Sequence, residues 1–159
     1  MKIQIVNVLT KVSLLSAMLL VTCVASAQGQ SLANRITANI PFDFSVGEKK
    51  LPAGTYSIRR VNQNMGDAVL SVADDDGQAK AIRLSSAAQR SRANSKATLV
   101  FHRYGDQYFL FQVWPAGATI GRQFPRSRSE REALRDLAGN SATAAGNKIE
   151  TVTIVGVLQ

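Results

Sequence analysis

The sequence predicts an all-β protein: a single antiparallel β-sandwich or barrel-like domain of about seven strands, with one short helix near residues 128–138. Three observations predict it. Apolar and polar residues alternate in several runs between residue 36 and the C-terminus, which is the period of half-buried strands. Glycine with aspartate or proline punctuates those runs at short intervals, as hairpin turns require. A single stretch, "SRSEREALRDLAGN", carries helical spacing with capping residues at its ends.

The chain begins with residues 1–27, which read as a secretory signal. Lys2 and Lys11 supply the positive end, "VSLLSAMLLVTCVA" a short apolar centre, and Ala25-Ser26-Ala27 the small residues of a cleavage site. That apolar run is too brief to span a bilayer, and no later segment approaches the ~20 apolar residues of a membrane helix. The only cysteine, Cys23, lies within the signal, and the bulky Thr22 before it argues against a lipid anchor there. The mature chain is therefore expected to be exported, to the periplasm or beyond, without disulfide or thiol chemistry. Loss of Lys2 and Lys11 leaves 17 basic residues against 11 acidic, a formal +6. Residues 28–34 form a tail and residues 35–159 one β domain, long enough for its own core.

Ile36, Ala38, Ile40, Phe42, Phe44 and Val46 alternate with polar residues, predicting the first strand. Pro41 cannot donate to a ladder, so this strand is expected at an edge or with a bulge. Asp43 then points away from the two phenylalanines, where an outward charge on an edge blocks pairing with other chains. Gly47 to Gly54 is a connection, with Gly54 free to adopt positive φ, and Tyr56 and Ile58 open the second strand.

The next two strands flank "ADDDGQ". Asp74 and Gly77 fit a type I turn closed by a glycine bulge, a register that sets Leu70 opposite Ile82 and groups Ala68, Val72 and Leu84 on one face. "ATLVFHRYGDQYFLFQVW" is a hairpin with a II′ turn at Gly105-Asp106, pairing Arg103 with Tyr108, His102 with Phe109 and Phe101 with Leu110. One face holds Leu99, Phe101, Tyr108, Leu110 and Trp114, the other Val100, Tyr104, Phe109, Phe111 and Val113. With both faces apolar, the hairpin is expected to be central and covered on both sides. Ser127 with Glu130, or Ser129 with Glu132, forms a capping box for the helix, and Gly139 ends it. "KIETVTIVGVL" closes the chain as a strand rich in β-branched residues.

Little in these elements points to catalysis. His102 is the only histidine, and its hairpin neighbours Val100, Tyr104 and Phe109 include neither carboxylate nor serine. Asp74, Asp75 and Asp76 are consecutive, whereas calcium loops alternate their ligands and recruit a later glutamate. "WPAGATIG" lacks the strand-turn-helix setting and lysine of a phosphate loop. Asp43, Glu48, Asp67 and Glu150 are carboxylates that could meet in space for hydrolysis, with no spacing that recommends it. No catalytic set, metal ligand set or cofactor is expected.

The basic residues offer more. No acid lies between Asp76 and Asp106, an interval holding Lys80, Arg83, Arg90, Arg92, Lys96 and Arg103, with Arg122, Arg126 and Arg128 further on. Arg90, Arg92 and Lys96 lie in a polar loop and are the candidate contacts for a polyanion.

The stretches "IPFDFSVGEKKLPAGTYSIRRV", "LVFHRYGDQYFLFQVW" and "GRQFPRSRSERE", under half of the mature chain, resemble a family of short exported bacterial proteins of unassigned function. The resemblance implies an exported small β domain and no activity. The expectation is thus a non-enzymatic domain binding an unidentified ligand or partner in the periplasm or cell envelope. The alternatives are a polyanion-binding accessory protein, whose partner would be an anionic envelope component such as lipopolysaccharide or acidic polysaccharide, or else nucleic acid, and a carboxylate-based hydrolase.

Overall fold

Pro41 decides the first departure from a simple strand count. The computed structural model describes residues 35–61, 69–140 and 149–158, so the expected signal, the tail to residue 34, Cys23 and Asp67 lie outside the described residues. The alternating run from Ile36 is not one strand: β1 (Ile36–Ile40) stops at Pro41, and β2 (Phe44–Val46) starts three residues on. Without an N–H, Pro41 cannot extend the ladder. The alternation survives the break, because Ile36, Ala38, Ile40, Phe44 and Val46 are all buried. β1 is also not an edge. It lies between β4 (Gly54–Arg60) and β11 (Glu150–Leu158), antiparallel to both.

The remaining elements are β3 (Lys49–Leu51), β5 (Val69–Ala73), β6 (Ala79–Leu84), β7 (Ser86–Gln89), β8 (Ala97–Tyr104), β9 (Gln107–Trp114), β10 (Ile120–Gln123) and helix α1 (Arg128–Asn140). The described residues thus hold eleven strands, ordered β3-β2-β9-β8-β11-β1-β4-β5-β6, with β7 and β10 branching from β9. This is a nearly closed, barrel-like sheet with one helix. It corrects the expectation of about seven antiparallel strands in two ways. Short strands occupy stretches read as connections, and β2 runs parallel to β9, meeting it at Ser45 and Phe109. The core lies within the curl, where Phe44 packs edge-on against Tyr56 and Phe101.

Two hairpins show how single residues set the register. The turn at Asp74 forms as predicted: the Gly77 N–H donates to Asp74 O, the Asp74 N–H to Gln78 O, and Gly77 sits at φ 76°. One extra residue beyond it then shifts the ladder, so that Ala73 pairs with Ala79 but Val72 pairs with Ala81. Leu70 consequently faces Arg83 rather than Ile82, and Ile82 and Leu84 turn outward. In the β8–β9 hairpin the II′ turn and its first pairs are those predicted, with Gly105 at φ 59°. A bulge opposite Val100 and Phe101 then inserts Phe111, which sends Val113 into the core and moves Trp114 to the face of Phe109. The hairpin is covered on both sides, by the core and by α1, whose Ala133, Leu134 and Leu137 pack against Tyr104, Phe109 and Ile149.

Gly54 does not take positive φ; the left-handed position in that connection is Gly47, at φ 66° in the tight β2–β3 turn. No helix among the described residues is long and apolar enough to cross a membrane.

Candidate functional site

Asp43 sits where the chain leaves β1 for β2, and its exposed carboxylate Oδ1 accepts the Ala53 N–H at 2.8 Å. That bond ties the Pro41 break to the β3–β4 loop, whose Pro52 carbonyl also accepts the Tyr56 hydroxyl at 2.9 Å. Alongside runs the β8–β9 turn. Between them opens a cleft of about 420 Å³ lined by the polar Asp43, Lys50, Asp106 and Gln107, by Tyr108, and by the apolar Leu51 and Pro52.

The ring of Tyr108 is held firmly. It stacks on Phe42 with centroids 3.9 Å apart, and the Arg103 guanidinium lies 5.5 Å over it. Tyr108 thus lines the cleft with a ring already stacked on Phe42. Two carboxylates against one ammonium bias the opening toward cationic or hydroxyl-bearing groups. The size falls in the range of small-ligand sites.

A second cluster was not legible in the hairpin pattern. His102 Nδ1 lies 2.8 Å from Glu130 Oε1, and the Tyr104 hydroxyl donates to the same oxygen at 3.1 Å. All three side chains are under a tenth exposed, with Arg126 at 3.7 Å from Glu130. Burial, then the Glu130 charge, pushes the Tyr104 phenol up to about 12. The signal lay in the helix cap. Ser127 Oγ does accept the Glu130 N–H at 3.0 Å, but the Glu130 side chain, instead of closing the capping box, reaches across to β8. The imidazole also stacks on Phe111 at 3.8 Å, so the bulge residue roofs it. With carboxylate and phenol as its hydrogen-bond partners and α1 overhead, His102 clamps helix to sheet.

Glu48 completes the cap. Its two oxygens accept the N–H groups of Arg128 (2.6 Å) and Ser129 (3.2 Å), and these bonds, the Arg128 one foremost, hold its carboxyl below the ordinary value. Glu150 pairs with Arg103 at 3.3 Å, and Asp74 with Lys80 at 2.6 Å. Of the three described carboxylates considered for hydrolysis, Asp43, Glu48 and Glu150, only Asp43 lines the cleft, and its companion there is Asp106. Among the described residues no three carboxylates or imidazoles are grouped to hold a metal ion.

The three candidate polyanion contacts part company. Arg90 is engaged: its guanidinium lies 4.5 Å over Trp114 and donates twice to Ala118 O, at 3.2 and 3.1 Å. Arg92 and Lys96 are exposed in the loop between β7 and β8. Many of the other cations are also committed, Arg122 to Ser85 and Arg128 to Glu132 among them. No protein-family model, curated protein or solved structure matches the chain.

Proposed function

We propose that the chain is an exported, non-enzymatic β domain of the periplasm or cell envelope that binds a small ligand in the cleft between Asp43 and Asp106. The resemblance to short exported bacterial proteins and the signal-like residues 1–27 support the location. The observation that carries the binding role is the cleft itself, lined by the apolar Leu51 and Pro52, the ring of Tyr108 stacked on Phe42, two carboxylates and one lysine. The ligand it suits carries an amine beside hydroxyl groups. Amide NMR of the exported chain, titrated with glucosamine oligomers and with spermidine, tests the reading. Shifts gathered at residues 106–108 and lost in Asp106→Asn support it; no response to either probe, or one spread over the surface, removes it.

Carboxylate-based hydrolysis stands as a second reading, because Asp43 and Asp106 share that cleft. Turnover of an oligosaccharide that disappears in both Asp43→Asn and Asp106→Asn would favour it. The polyanion reading rests on Arg92 and Lys96, since Arg90 is turned onto Trp114. It requires Arg92→Ala/Lys96→Ala to weaken heparin retention while Arg90→Ala lowers stability and leaves retention alone.

A further inference from the structure

The sheet stops just short of closing. β6 hydrogen-bonds only to β5, and β3 only to β2, so both ends of the strand order are free edges among the described residues. They face one another across a shallow groove of about 430 Å³, lined by Val46, Glu48 and Lys49 on one side and by residues 80–83 on the other. Within it the Arg83 guanidinium rests against Gly47, where a Cβ would collide with it. Among the described residues no hydrogen bond or short ion pair reaches the Arg83 guanidinium, although the Glu48 carboxylate in the same groove feels its charge. Lys49 is exposed and equally unpaired. The other charges there are committed: Glu48 to the helix N-terminus, Lys80 to Asp74.

We infer that this seam is an acceptor for an extended segment of a partner protein, added as a strand against β6 and alternating acidic with apolar residues. The inference is independent of the Asp43–Asp106 cleft. Its backbone basis is the free edge of β6, an arrangement that proteins pair or protect. The side-chain basis is the alternation along β6. Ala81 is buried and Arg83 lies against Gly47, while Ile82, at the rim of the groove, and Leu84 are exposed at 56% and 67%. A neighbouring strand sets an acidic residue beside Arg83 and within reach of Lys49, and apolar residues beside Ile82 and Leu84. A second copy of this chain fits less well, because antiparallel pairing of two β6 edges sets Arg83 opposite Ala79, Ala81 or a second Arg83 and supplies no carboxylate on that face.

The probe is a labelled ten-residue peptide alternating Glu and Val, titrated into the exported chain by fluorescence anisotropy. Saturable binding is expected, weakened about tenfold by Arg83→Glu and several-fold by Lys49→Glu. Lys49→Glu alters only an exposed side chain, so it remains informative if Arg83→Glu folds poorly. Strand pairing also requires that N-methylation of alternate peptide bonds abolish binding and that a Lys-Val probe fail to bind. Equal affinity for the N-methylated probe, or competition by heparin as effective as by unlabelled peptide, would mean a diffuse electrostatic patch and overturn the inference. So would a sedimenting dimer abolished by Arg83→Glu, since it would assign the edge to a second copy.

Discussion

Glu130→Ala tests the helix clamp with the backbone cap left intact, because the Glu130 N–H that bonds Ser127 is untouched. The substitution removes the acceptor of two buried donors, the Tyr104 hydroxyl and the His102 Nδ1–H. Breaking a buried ionic or charge-assisted pair by deleting one partner costs about 3–5 kcal/mol. The Tyr104 hydroxyl oxygen, already 3.4 Å from His102 Nδ1, can accept the Nδ1–H, which recovers about 1 kcal/mol. The net loss is therefore about 3 kcal/mol, a fall in Tm of about 10 °C for a domain of this size. Glu130→Gln keeps one carbonyl acceptor and is expected to cost about 1 kcal/mol. Urea unfolding followed by circular dichroism and Trp114 fluorescence measures both. If the alanine variant loses less than about 0.5 kcal/mol, within the range of surface substitutions, the clamp contributes nothing and the reasoning fails. Equal losses for alanine and glutamine would show that charge, not hydrogen bonding, holds the helix.

Gly47→Ala places a Cβ at φ 66° and into the Arg83 guanidinium, and is expected to destabilise the chain by about 1–2 kcal/mol in urea unfolding. In an Arg83→Ala background the collision is gone and only the backbone penalty of about 1 kcal/mol remains, so an undiminished loss there would show that Arg83 does not rest on Gly47. Glu48 and Asp74 both titrate below their ordinary values of 4.5 and 3.8, through the Arg128 N–H and the Lys80 ammonium respectively. A carboxyl lowered in the folded state stabilises it above the unfolded value and loses that contribution as pH falls through the folded one. Stability should therefore decline as pH drops below about 4.5, and Glu48→Gln should flatten part of that decline; an unchanged acid limb would separate Glu48 from the helix cap.

Alternation and turn chemistry made most of the fold legible. Ile36 to Val46, the Gly105-Asp106 hairpin and the helix at Arg128 were all visible because each is specified by neighbours in sequence. What stayed hidden depends on partners far along the chain. Pro41 signalled a break, but only the pairing of Ser45 with Phe109 shows that the strand changes neighbours there rather than lying at an edge. The Asp43–Asp106 cleft and the Glu130–His102 pair each join residues from separate elements, and periodicity carries no information about which elements pack. The basic run was visible as composition, yet whether Arg90 meets solvent or Trp114 depends on the bulge that moves Trp114 to the face away from the main core.

That dependence on single inserted residues bears on the seam. The apolar pattern of β6 favours the register that buries Ile82 and Leu84; the extra residue after Ala79 leaves them outward instead. Leaving a leucine or isoleucine largely exposed forgoes on the order of 1–2 kcal/mol per side chain. The bulge brings Lys80 to Asp74, but the pair lies at the surface, where solvent screening leaves such pairs little net contribution. The local exchange is therefore unfavourable as it stands. It is offset when another strand covers Ile82 and Leu84 and an acidic group meets Arg83, since the register that exposes the two apolar side chains is the one that presents the guanidinium to the groove. A local violation of the hydrophobic pattern that also leaves a half-buried guanidinium without a hydrogen-bonded carboxylate is what a binding edge requires. Deleting the extra residue should then restore the buried register, raise the stability of the free chain and abolish binding of the acidic strand, and a deletion that stabilises without affecting binding would break the link between the two.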